Sequence, residues 1–169
     1  MATKKPAPSE LLDRPMPQNI EAEKCVVGSI ILDPALLSEL SFLRASDFHN
    51  RTYGVIFQRI VSMKEQAIPI DSVTLSEHLR RHGELLSERE SGKVLKGCAT
   101  LADLAECMAS VPVTAHAAYY GKLVAEASFR RRIIHSLVIL LQRAYDLQVP
   151  VDVLRRSAAK LLDKIRASE

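Results

Sequence analysis

From Asn19 onward the apolar residues recur at three- and four-residue intervals, the spacing of helices that bury one face. In the first such segment Ile20, Val27 and Ile31 share a stripe with Val26 and Ile30 beside it, while Glu21, Glu23 and Lys24 fall outside. Asn19 is suited to cap the unpaired N–H groups of the first turn, and Glu21 and Glu23 complement the positive helix end. Asp33-Pro34 then supplies a cap and a first-turn proline for a second helix over residues 35–43. After a break at Ser46-Asp47-Phe48, the run Tyr53, Ile56, Phe57, Ile60, Val61 and Lys64 predicts a third helix ending near Ala67, closed by Pro69. Thr74 and Glu77 stand at capping-box spacing, which predicts a short fourth helix reaching His82 with Gly83 as its left-handed stop.

Residues 84–97 are polar and hold Gly92 and Gly97, so they read as a loop with a short helix inside it. Thr100 can cap a helix through Leu101, Leu104, Ala105 and Met108, ended by Val111-Pro112. The last third differs in kind. From a cap at Thr114, apolar positions continue through Tyr120, Leu123, Val124, Ala127, Ile133, Ile134, Leu137, Val138, Leu141 and Tyr145 with no proline before Pro150. Such a helix is about 45 Å long, more than the compact region beside it needs. Beyond Pro150, Val151, Leu154, Ala158, Leu161, Leu162 and Ile165 form a second limb.

The pattern therefore predicts an all-α chain: a flexible arm over residues 1–16, a compact multi-helix head over 17–112, and a long antiparallel helical hairpin over 113–169. A hairpin standing away from a small head leaves one face without a partner inside the chain, and a second copy is the expected cover. The candidate oligomer-interface residues are Ile134, Leu137, Val138, Leu141, Tyr145, Leu154 and Leu162, some of which must pack within the hairpin itself.

Composition agrees with helices, being 47% apolar with only 5% aromatic residues. Against 23 Lys and Arg stand 20 Asp and Glu, far from the dense positive field of a DNA-coating protein. Arg130-Arg131-Arg132 is the densest positive run, and the fan it makes on a helix reads as a solvated or ion-paired face for at least two of the three. No run of about 18 apolar residues is present, and the three scattered cysteines, Cys25, Cys98 and Cys107, fit a reduced cytoplasmic setting. Gly92-Lys93-Val94 and Gly121-Lys122-Leu123 both lack the hydroxyl and the preceding glycine of a phosphate-binding loop, so no nucleotide motor is expected. His78 and His82 share a helix face but lack the glutamate of the zinc-protease pattern, and they read as solvated surface histidines. The expected catalytic, cofactor-binding and metal residues are none.

Several ordered landmarks nevertheless point to a family. Asn19, Glu21-Ala22-Glu23, Val26, Gly28 and Leu32-Asp33, then Asp47-Phe48 with Asn50-Arg51, then Pro69-Ile70-Asp71 with Thr74-Leu75 and Leu79, resemble the N-terminal domain of the DnaB family of bacterial replicative DNA helicases. Thr114, Tyr120, Val124, Glu126, Arg131 and Ile134 are similar to the first limb of that family's hairpin, and the resemblance spans residues 17–165. It implies a non-catalytic collar in which protomers pair through the hairpin and the pairs close into a hexamer, a trimer of dimers. The implied partners are further copies of the chain, the helicase-binding domain of primase and a helicase loader, with DNA met only indirectly. ATP and Mg would belong to an ATPase domain of the parent helicase that this sequence does not contain. The alternatives are a helicase-binding adaptor or the helicase-interaction domain of a primase, which share a similar head and hairpin, and, far behind, a metal hydrolase using His78 and His82.

Overall fold

The computed structural model describes residues 14–86 and 98–166, the Lys164 side chain excepted. It contains six α-helices: α1 (Ile20–Leu32), α2 (Arg51–Glu65), α3 (Ser72–Arg81), α4 (Leu101–Ala109), α5 (Ala117–Tyr145) and α6 (Val151–Arg166). Among the described residues there is no strand, only an isolated bridge between Leu85 and Ala99. The all-α expectation holds.

Helix α1 is the hub of the head, packed against α4, α5 and α2. Nine of its 13 residues are buried, more than one stripe can supply, because neighbours close on it from several sides. Gly28 makes the closest approach: a Cβ there would stand 2.1 Å from the Cys107 carbonyl oxygen on α4. That contact is with backbone, so only a residue without a side chain lets α1 and α4 meet at this distance. Asn19 caps α1 as expected, its Oδ1 accepting from the Ala22 N–H at 3.0 Å. Replacing it, Asn19→Ala, should cost the head about 1 kcal/mol, read as a lower urea midpoint at unchanged slope.

Three elements differ from the expectation. Residues 35–43 form a 3-10 helix, Pro34–Ser38, followed by further turns, rather than an α-helix. The reason lies in the spacing: Leu37, Leu40 and Leu43 are three apart and all buried, and only three residues per turn brings such positions onto one line. Helix α3 starts one turn earlier than the Thr74–Glu77 box implied. Asp71 is its cap, accepting from the Val73 and Thr74 N–H groups at 2.8 and 2.9 Å, and Thr74 Oγ1 accepts from the Asp71 N–H in return. Glu77 is instead paired with Arg80 and Arg81. Thr114 opens a 3-10 turn, Thr114–His116, and makes no capping bond. The other landmarks stand: Thr100 caps α4, and Gly83 ends the segment after α3 at φ +68. Of the expected loop over residues 84–97, residues 87–97 lie outside the described residues.

Candidate functional site

Helix α5 divides into two unlike halves. Its buried residues are Ala117, Gly121, Val124, Ala127 and Ser128, all in the first half and all small or medium, which lets the helix lie close on α1 and the 45–47 turn. Gly121 is the tightest point, where a Cβ would fall 2.5 Å from a Leu40 methyl. Beyond Ser128 no residue of α5 is fully buried, although the helix runs on to Tyr145.

In that distal half the apolar residues occupy opposite faces. Ser136, Ile139, Leu140 and Arg143 meet Ser157, Lys160 and Leu161 of α6 around a cleft of about 220 Å³, and Arg143 donates to Ser157 Oγ. The Arg143–Ser157 contact across a connection of only a few residues, Asp146 to Pro150, makes the hairpin antiparallel. At about 100° per residue, Ile134, Leu137, Val138 and Leu141 lie roughly opposite that line. They line a separate groove of about 570 Å³ whose other wall is segment 14–17. Leu137 is 50% exposed and Leu141 43%, and Tyr145, 81% exposed, continues the same line toward the tip.

The predicted interface residues thus separate. Ile134, Leu137, Val138 and Leu141 come together in the outward groove and Tyr145 extends it. Leu154 is half-buried and shares the α6 face of Ser157 and Leu161, so it belongs to the inside of the hairpin. Leu162 is 57% exposed on α6, one position off that inner line.

Between head and hairpin sits a polar junction that sequence reasoning missed. Glu23, expected outside the α1 stripe, is 1% exposed, and its two carboxylate oxygens accept from the His49 and Asn50 N–H groups at 2.7 and 2.9 Å. It is the acceptor for backbone donors ahead of α2, far away in sequence. Asp47, read as part of a break, is buried: Oδ1 accepts from Ser128 Oγ at 2.6 Å and Oδ2 from the Arg44 N–H at 2.9 Å. Arg131 completes the junction by donating from Nη1 to the Pro17 carbonyl and from Nη2 to the Asp47 carbonyl, at 2.8 and 2.5 Å. Of the arginine run, Arg130 pairs with Glu126 and Arg132 lies over the Phe129 ring, as a solvated face should, while Arg131 is a structural clamp.

No group of three or more His, Cys, Asp or Glu able to hold a metal occurs among the described residues. Cys107 is buried, and loss of solvent pushes its thiol up to about 12, so it packs rather than reacts. His82 is exposed, as the sequence reading expected, and His78 is a correction to it: His78 is buried, its Nε2 has no hydrogen-bond partner among the described residues, and its ring stands 4.5 Å from that of His82, whose Nδ1 donates to the His78 carbonyl. Burial lowers the His78 pKa below its ordinary 6.5, with His82, Arg59 and Arg81 adding to the shift and Glu84 opposing it. A histidine depressed in the folded state takes up more protons when unfolded. The stability it contributes is therefore complete above about pH 6.5 and declines as pH falls toward the lower folded value. Between pH 7.5 and 5.5 the wild type should lose more melting temperature than His78→Gln, and parallel losses would remove His78 as the source.

A family model described as DnaB-like helicase N terminal domain matches residues 15–126. The replicative DNA helicase DnaC of Bacillus subtilis is 33% identical over 156 residues, covering 92% of this chain and 32% of that protein. The replicative DNA helicase DnaB of Geobacillus stearothermophilus is 31% identical over 159 residues, covering 93% of this chain and 33% of that protein. The chain thus spans about a third of the length of these curated relatives. Among solved structures, the N-terminal domain of DnaB helicase from Mycobacterium tuberculosis superposes with a TM-score of 0.74 at 25% identity, over 88% of this chain and 99% of that one. The N-terminal domain of DnaB helicase from Helicobacter pylori, described together with its interactions with primase, shares the fold with a TM-score of 0.59 at 20% identity, over 75% of this chain and 91% of that one. No helix among the described residues is long and apolar enough to cross a membrane.

Proposed function

The chain belongs to the family of DnaB-like helicase N-terminal domains, and from that premise we propose that it is the non-catalytic collar of a replicative DNA helicase, joining copies of itself and docking a primase. The observation that carries this reading is the second apolar face of α5, opposite the one that α6 covers. A helix apolar on two opposite sides and covered on one is built to be covered on the other.

Its spacing supports a second copy running antiparallel. Ile134, Val138, Leu141 and Tyr145 follow one another at intervals of four, three and four, the same in either direction, so a two-fold axis at the level of Ile139 and Leu140 pairs 134 with 145 and 138 with 141. Pairs formed this way would close into a trimer of dimers above an ATPase ring, where ATP and Mg would act and which would meet the DNA. Primase docking rests on relatives whose structures are described with primase interactions, and a helicase loader is a further partner of the same collar.

Sedimentation equilibrium of the full chain tests the assembly, with a concentration-dependent mass of at least two chains expected. Pull-down with a purified primase tests docking. A chain that stays monomeric yet binds helicase would be an adaptor instead, which would overturn the collar reading.

A further inference from the structure

Resting on that reading, we infer that segment 14–17 is the second wall of the self-association seam and that Arg131 is the positioning residue that holds it there. The groove is composite. One side is α5, and the other is a stretch of chain that precedes the first helix and has no secondary structure of its own. Such a stretch does not stay against a helix by backbone bonding within itself. Arg131 fixes it, because one guanidinium spans the Pro17 carbonyl on the segment and the Asp47 carbonyl on the head, from a position one turn before Ile134. The planar guanidinium offers separate N–H groups to the two carbonyls from a rigid fork, which a lysine ammonium at the end of a flexible stem does not.

In the antiparallel pairing, Tyr145 of a second copy comes to the level of Ile134, where Met16 and Pro17 form the opposing wall. Met16 is 42% exposed in the isolated chain and Tyr145 81%, so each presents apolar surface that the other can cover. The seam is then an aromatic knob from the hairpin tip seated between α5 and the leading segment. Without Arg131 the segment is free to leave, and the knob loses one side of its socket.

The test is the dimer dissociation constant of the full chain by sedimentation equilibrium for Met16→Glu, Arg131→Gln, Ser128→Ala and Leu141→Asp. Met16→Glu should weaken association by about tenfold or more at unchanged melting temperature, since Met16 is no part of the head core. Arg131→Gln should weaken it comparably. Ser128→Ala, which removes a buried hydrogen bond at the same junction, should lower the melting temperature with little effect on association. Association unchanged in Met16→Glu while Leu141→Asp abolishes it would overturn the wall. Association unchanged in Leu141→Asp would instead bring down the reading on which it rests. Equal weakening per degree of melting temperature in Arg131→Gln and Ser128→Ala would reduce Arg131 to a merely structural residue and overturn its positioning role.

Discussion

Leu141→Asp should turn the protein into a monomer at concentrations where the wild type sediments as an oligomer, with its helical circular dichroism retained. Leu141 is 43% exposed in the single chain, so the head does not depend on it. In a symmetric pair each substitution counts twice, and full burial of a leucine is worth about 1.5–3 kcal/mol, so covering the exposed two-fifths of Leu141 in both copies gives roughly 1.3–2.6 kcal/mol before the cost of a desolvated carboxylate. At about 1.4 kcal/mol per factor of ten, the dissociation constant should rise by about one to two powers of ten from the lost burial, and further for the carboxylate. A conservative exchange such as Leu141→Met should stay within about tenfold, because volume and polarity are kept. An oligomer that survives Leu141→Asp would place the seam elsewhere.

Glu23→Ala should be the most destabilising single change in the head that leaves the hydrophobic core untouched. It removes both acceptors of the His49 and Asn50 N–H groups and leaves two backbone donors unsatisfied at about 1–3 kcal/mol each. A loss of about 3–5 kcal/mol is a large share of the 5–15 kcal/mol that holds a domain of this size together. Glu23→Gln keeps one acceptor and turns a donor toward the other N–H, so it should recover only part of the loss. Urea unfolding decides the matter: an unfolding free energy within about 1 kcal/mol of wild type in Glu23→Ala would mean that other groups take over the two donors.

The contrast between Leu141 and Glu23 marks what can be read from a chain of this kind. The helices of the head were legible where each buries one face, as in Tyr53, Ile56, Phe57 and Ile60 of α2, and the two limbs of the hairpin were legible for the same reason. The outward groove residues stood out because apolar positions exceeded what one helix partner could cover. Leu154 was not separable from them, since spacing says that a residue is apolar but not which neighbour covers it. Glu23, Asp47 and Arg131 were opaque for a different reason. Apart from the local Arg44 N–H on Asp47, their partners are backbone groups or a serine distant in sequence, brought near only by the completed fold. A buried carboxylate bonded to main-chain N–H groups has the same letter in the sequence as one in water. The exchange of an α-helix for 3-10 turns at Pro34–Ser38 could have been found, because the leucines at 37, 40 and 43 already step by three.

Helix α5 is also a lever. Its first half is gripped in the head, and the 17 residues from Phe129 to Tyr145 reach about 25 Å beyond that grip. Rotating such a rod by about 10° at its fulcrum carries the tip through roughly 4 Å, close to the 5.4 Å of a full helical turn. The fulcrum is where Ser128, Asp47 and Arg131 interlock, so small rearrangements of a few hydrogen bonds there are magnified at the far end into displacements large enough to change which residues face each other.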